Sequence, residues 1–186
     1  STEYDISFIL SPAVLDLWNG SGTTNRITCI TYANGYWVIG GMCYDGTNYS
    51  LRIAYSTSLN GTWTIKDIVS NSWSNSSWNR ITCITYADGY WVVGGRYYDG
   101  TYYSARLFYD TSLDGTWTNN KALWYGSASS GFTNNIISCI TYANGYWVAG
   151  GTHYAGAYRY CRIAYATSLD GTWTTKDLWY GNNGGG

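Results

Sequence analysis

Glutamate occurs once in this chain (Glu3), proline once and histidine once, and charged residues make up only 11% of its 186 positions. Ala, Lys, Glu and Leu, the strong helix formers, are sparse, which argues against a helical protein. Hydrolysis of glycosides usually needs two facing carboxylates. Here the lone Glu sits near one end and half of the ten Asp residues lie in turn-like Asp-Gly pairs. One histidine and no Cys-x-x-Cys spacing leave no zinc-finger-type ligand set. No glycine-rich phosphate loop leads from a strand into a helix. No apolar run approaches the length of a membrane span, and no basic-then-apolar leader opens the sequence. A net charge of −1 and a pI near 5.6 give no electrostatic footprint for nucleic acid or an anionic membrane. The expectation is therefore no metal, no cofactor, no nucleic-acid partner and no membrane insertion.

What is abundant points one way. Aromatics reach 19%, with 21 Tyr and 11 Trp, beside 23 Gly. Tyr, Trp and Thr suit half-buried pleated surfaces, while Gly and Asn supply turns. This is a β composition.

Self-similarity organises it. Ile27, Ile81 and Ile137 each open the run Ile-Thr/Ser-Cys-Ile-Thr-Tyr-Ala-Asn/Asp-Gly-Tyr-Trp-Val. A second run, Thr-Ser-Leu-Asn/Asp-Gly-Thr-Trp-Thr, follows in every unit, and the interval from Ile to its Trp is 36 residues each time. Length changes fall between units, where surface loops tolerate them. Within a unit, Asn34-Gly35, Asp45-Gly46 and Asn60-Gly61 mark three tight turns, so each unit reads as a four-stranded antiparallel meander. A unit of roughly 40–50 residues with four strands is one β-propeller blade. Residues 25–78, 79–134 and 135–186 are then three blades, the last with a Gly-rich end. Residues 1–24 hold two further strand-like runs, a half blade. Fewer than about four blades do not usually close a propeller, so self-association or a longer array is expected. The Gly pairs at Gly40, Gly94 and Gly150 fall inside the second strand, where a bulge or a neighbouring blade needs space. Cys29, Cys83 and Cys139 recur in the first strand and read as small buried hydrophobes. Cys43 and Cys161 lie outside that position and could pair.

Ser58-Leu-Asn60-Gly-Thr-Trp63, with Ser112, Asp114 and Trp117 and then Ser168, Asp170 and Trp173 at the matching positions, resembles the Asp-box (BNR) repeat of sialidase-like propellers. The combination with Ala-Asn-Gly-Tyr-Trp-Val is similar to phage-tail and bacterial surface repeats. The family pattern is Ser/Thr-x-Asp-x-Gly-x-x-Trp, so this chain is two residues tighter, and Asn60 replaces the acid in the first copy. The resemblance implies a structural box on the turn between third and fourth strands, its acid accepting turn hydrogen bonds and its Trp packing between strands. It also implies a protein that works outside the cell, on a cell surface or on a virion.

Sialidase chemistry would need three arginines gripping a carboxylate. Arg52, Arg106 and Arg162 recur at one strand position, and ion pairing or blade packing is the reading adopted for them. The candidate ligand-binding residues are Tyr97, Tyr98, Tyr102, Tyr103, Tyr154, Tyr158 and Arg159, with His153 in a turn-rich surface segment. Tyr presents a rigid ring and a hydroxyl, which suits sugar stacking and polar contacts. The expected function is a non-enzymatic surface module binding glycans or another surface ligand for adhesion. The alternative is a structural subunit of a fibre, sheath or coat, and a sialidase-like hydrolase ranks third.

Overall fold

The computed structural model describes residues 25–69, 76–126, 135–155 and 158–182. The half blade read over residues 1–24 and the Gly-rich end lie outside them. Among the described residues there is no helix. The first sheet holds β1 (Arg26–Ala33), β2 (Tyr36–Tyr44), β3 (Tyr49–Ser56) and β4 (Thr64–Val69). The second holds β5 (Arg80–Ala87), β6 (Tyr90–Tyr98), β7 (Tyr103–Asp110) and β8 (Asn119–Tyr125). The third holds β9 (Ile136–Ala143), β10 (Tyr146–Ala155), β11 (Tyr158–Ala166) and β12 (Thr174–Asn182). Each sheet pairs its strands antiparallel in chain order. The architecture is a β-propeller-like array of repeated four-stranded blades.

The first turn of every blade is set by its sequence. Asn34, Asp88 and Asn144 adopt φ of 48–51°, and the glycine after each adopts 79–80°. Two successive positive φ values match the right-handed twist of the flanking strands, and Asn/Asp-Gly reaches them at little cost. At the second turn Asp45 Oδ1 accepts from the amides of Thr47 and Asn48, and Asp99 does the same for Thr101 and Tyr102. The third connection departs from expectation. The strand does not run on to Asn60-Gly61 but ends at Ser56, and residues 57–63 form a longer loop. The Asp/Asn-Gly pair belongs to the turn held by the box, not to a two-residue hairpin.

The blades are joined through two apolar seams. In the first, Val38, Ile53 and Tyr55 meet Ile81, Trp91 and Leu113. In the second, Val92, Leu107 and Tyr109 meet Ile137, Trp147 and Leu169. The seam is what buries these positions. Ile81 and Ile137 are 1% and 0% exposed, but their counterpart Ile27 is 52% exposed. Trp124 in the second seam is 4% exposed, whereas its counterpart Trp179 on the outer face of the third blade is 63% exposed.

The glycine pair explains how blades approach so closely. A Cβ on Gly40 would lie 2.8 Å from Ile84 Cδ1 and 3.0 Å from Ile81 Cγ2, both on the next blade. A Cβ on Gly41 would lie 2.0 Å from the Arg26 carbonyl oxygen, because β1 bulges there at Thr28. One glycine admits the next blade and the other admits the bulge. The bulge in turn aims the Thr28 hydroxyl at the Gly40 carbonyl, 3.1 Å away, and at the Ile81 carbonyl of the next blade. Thr82 repeats this with Gly94 and Ile137.

Among the described residues Gly150 lacks such a neighbour: a Cβ there meets only Cys139 Sγ of its own blade, at 3.0 Å. Gly40→Ala should therefore destabilise the protein by about 1–3 kcal/mol in urea unfolding, an overpacking cost. Gly150→Ala should cost distinctly less. Equal losses would mean that the seam does not set the glycine requirement.

Candidate functional site

The aromatic residues singled out from the sequence do not gather on one surface. Tyr97 is only 4% exposed and Tyr154 only 7%, so both are packing residues and not the exposed stacking platforms anticipated. Strand alternation turns Tyr97 into the first seam, against Phe108, with Arg106 over its ring at 5.2 Å. Tyr98 stacks on Tyr103 with centroids 4.6 Å apart, and its hydroxyl donates to the Gly100 carbonyl at 2.8 Å. The Tyr103 hydroxyl lies 3.1 Å from Ser76 Oγ. Tyr102 and Tyr158 are exposed, packed edge-on against Tyr125 and Tyr180. Exposed Arg159 lies over the Tyr154 ring at 6.0 Å.

His153 is half-buried rather than loosely placed at the surface. Its Nδ1 lies 3.0 Å from Asn135 Oδ1, which also accepts the Tyr154 amide at 3.0 Å. Burial, reinforced by the nearby Arg162 guanidinium, lowers its pKa, while Asp177 opposes that shift. Asn25 and Asn79 hold the amides of Tyr44 and Tyr98 in the same way, at 2.6 and 2.8 Å. This Asn clamp went unnoticed in the sequence, although Asn25, Asn79 and Asn135 each stand two residues before the Ile that opens a repeat.

The arginines of the third strands are engaged within their own blades. Arg52 pairs bidentately with Asp67 (2.6 and 2.9 Å) and Arg162 with Asp177 (2.6 and 2.7 Å). In the second blade Ala122 replaces the acid, and Arg106 donates to Asn120 Oδ1 at 2.6 Å. All five cysteines are free, so Cys43 and Cys161 are not joined. Burial pushes the Cys29 and Cys83 thiols up to about 12, which makes them inert, but Cys139 is exposed on the third blade.

The box has two faces. Within the loop, the Ser58, Ser112 and Ser168 carbonyls accept the amides of Gly61, Gly115 and Gly171 at 3.1–3.3 Å. The indole N–H groups of Trp63, Trp117 and Trp173 donate to the carbonyls of Leu59, Leu113 and Leu169 at 3.2–3.4 Å. The carboxylate that organises the second-blade loop is Asp110, not Asp114. Asp110 accepts from the amides of Ser112 and Trp117, both at 3.1 Å, and holds Trp117 at a φ of 52°. Asp114 instead reaches across the seam: its carboxylate accepts the Tyr55 hydroxyl, and its carbonyl accepts Lys66 Nζ at 2.9 Å. Burial, with that hydrogen bond next, pushes the Tyr55 phenol up to about 12.

Above each seam, beside these boxes, a cleft opens. The first, of about 230 Å³, is lined by Asn34, Tyr36 and Tyr55 from one blade and Trp91, Ser112 and Asp114 from the next. The second, of about 370 Å³, is lined by Asp88, Tyr90 and Tyr109, then Trp147, Ser168 and Asp170, with Asn119 beside them. These are the same positions one repeat apart. Buried Trp91 or Trp147 forms the floor, half-buried Tyr36 or Tyr90 a wall, and Ser and Asp the polar rim. Aromatic surface beside a hydroxyl and a carboxylate can stack on a sugar ring and hydrogen-bond its hydroxyls. The sequence hid this site because each half comes from a different repeat.

Two outcomes follow from this geometry. Asp110→Ala should destabilise the protein by about 1–3 kcal/mol in urea unfolding, since it strips two amide partners from the loop. His153 is the chain's single histidine, so stability between pH 7 and 5 reports on it with little interference. Its folded pKa is lowered, so the unfolded chain binds the proton more readily. Stability should fall as pH drops through the ordinary value near 6.5 towards the lowered one, and His153→Gln should flatten that slope. No family model matches the chain and no curated protein matches it in sequence, so the likeness to Asp-box propellers rests on the box residues themselves.

Proposed function

We propose that this chain is a non-enzymatic, extracellular or surface-borne propeller module, built of Asp-box-like repeats, that binds glycans in its inter-blade clefts for adhesion or attachment. The observation that carries this reading is the recurrence of one cleft, with Tyr, Trp, Ser and Asp at equivalent positions, over both seams. The lining rings sit on rigid strands, so little side-chain freedom is lost when a sugar stacks on them. The engagement of Arg52, Arg106 and Arg162 within their blades supports a binding module over a sialidase-like hydrolase.

A structural subunit of a fibre, sheath or coat is the second reading. It draws on the outer face of the third blade, where Leu178 and Trp179 are exposed although their counterparts Ile68 and Trp124 in the seams are buried. Exposed apolar surface of this kind marks interaction sites, and self-association through it suits either reading.

Glycan-array screening of the full chain decides between them. Retention of a glycan should weaken by about tenfold in Tyr36→Ala or Tyr90→Ala, as loss of a stacking aromatic of roughly 1.4 kcal/mol implies. Both variants should keep cooperative melting. No retention at about millimolar glycan, together with ordered particles in electron micrographs, would hand the assignment to the structural reading.

A further inference from the structure

The two clefts share a shape but not a charge. Position for position, neutral Asn34 in the first is Asp88 in the second. The box acids differ as well. Asp114 gives its carboxylate to the Tyr55 hydroxyl, whereas the Asp170 carboxylate takes no hydrogen bond among the described residues, although Tyr109 lies close enough for that charge to help raise its pKa after burial. Asp88 likewise has neither a hydrogen bond nor an ion pair at its side chain among the described residues. Among the described residues a cation reaches this region: Lys121 Nζ donates to the Asp170 carbonyl at 3.3 Å. Lys66 does the same for Asp114 at the first cleft, so the lysine is common to both and the carboxylates are the difference. The larger cleft therefore carries two uncommitted carboxylates around an aromatic-floored space of about 370 Å³, and the smaller carries one that is already engaged.

Resting on the glycan-binding reading, we propose that the second cleft selects an amine-bearing sugar, a glucosamine-type unit with a free ammonium, whereas the first takes neutral sugar rings. A protonated amine placed between Asp88 and Asp170 gains a charge-assisted hydrogen bond that an acetamide or hydroxyl at the same carbon lacks. The ring itself still stacks on the Tyr90 and Trp147 side of the cleft.

The test compares a glucosamine tetrasaccharide with its fully N-acetylated form, titrated into the full chain at pH 6 and low salt. The free-amine form should bind about five- to twentyfold more tightly, the range that one or two partly exposed charge pairs give. The preference should shrink in 0.5 M salt, where charges a few ångströms apart are screened. It should be lost in Asp88→Asn and Asp170→Asn and kept in Asp114→Asn. The paired change Asn34→Asp with Tyr55→Phe should create the same preference in the first cleft, a gain that misfolding cannot mimic. Equal affinities in the unaltered protein, or a preference indifferent to Asp88→Asn and Asp170→Asn, would overturn the amine selectivity while leaving glycan binding in place. Binding of neither tetrasaccharide, with no other glycan retained on the array, would remove both.

Discussion

The seam between successive blades is the constraint on which this molecule depends. A four-stranded sheet has two faces, and neither can be left bare without exposing Ile, Val and Trp to water. The chain solves this by stacking the first strand of one blade on the first two strands of the blade before it. Gly40 and Gly94 lack the side chain that would hold the sheets apart, and Ile81 and Ile137 fill the space. Burial of one such isoleucine contributes roughly 1.5–3 kcal/mol. The adjacent glycines, Gly41 and Gly95, serve a different need. They let the first strand bulge, and the bulge aims the Thr28 and Thr82 hydroxyls at a carbonyl of the next blade. Packing and polar satisfaction are thus secured by one dipeptide.

Polar contacts then fix how far along the seam each blade sits. Tyr55 and Lys66 of the first blade hold the carboxylate and carbonyl of Asp114 on the second, and Lys121 holds the Asp170 carbonyl on the third. Each such bond adds about 1 kcal/mol, less where it is exposed, against far larger apolar terms. Their value is directional. An apolar seam alone tolerates sliding, but a hydroxyl and an ammonium converging on one box residue specify a single offset. The same offset places the box beside the tyrosines of the preceding blade, so a cleft is a consequence of docking and belongs to no blade by itself.

Much of this was legible in the residues. The Asn/Asp-Gly pairs encoded positive φ, the Ile-to-Trp interval encoded the blade, and the glycine pair was correctly expected to serve a bulge or a neighbour. Other features were hidden for physical reasons. Tyr97 and Tyr154 looked like surface aromatics because alternation along a strand gives the period but not which face is covered. Asp114 looked like the turn acid because an Asp-Gly pair before a Trp resembles a box. Asp110, outside the repeated motif, does that work, while Ser56 occupies its place in the first blade. The clefts were illegible because recognition of a site read repeat by repeat cannot see a surface shared between two repeats. Only the Asn clamp was fully within reach, since it recurs at a fixed distance from each opening Ile.

Repetition also shapes what binding can mean here. Single sugars held by one stacking contact and a few hydrogen bonds bind weakly, because association must first overcome lost translational and rotational freedom. Under the proposed reading, two equivalent clefts on successive seams would change that arithmetic. A ligand with repeated sugars that has entered one cleft meets the second at an effective concentration set by the glycan's own length, and no new contact is needed for overall affinity to rise. Seam packing sets the separation of the two clefts, so the glycines that admit the next blade also govern their spacing. A charge difference between otherwise equivalent clefts adds direction: a ligand with one amine-bearing and one neutral unit would lie across the blades in one orientation and not the reverse. On the proposed glycan-binding reading, the scaffold would supply the spacing, and the departures from sameness, Asp88 against Asn34 and Asp170 against a hydrogen-bonded Asp114, would supply the discrimination.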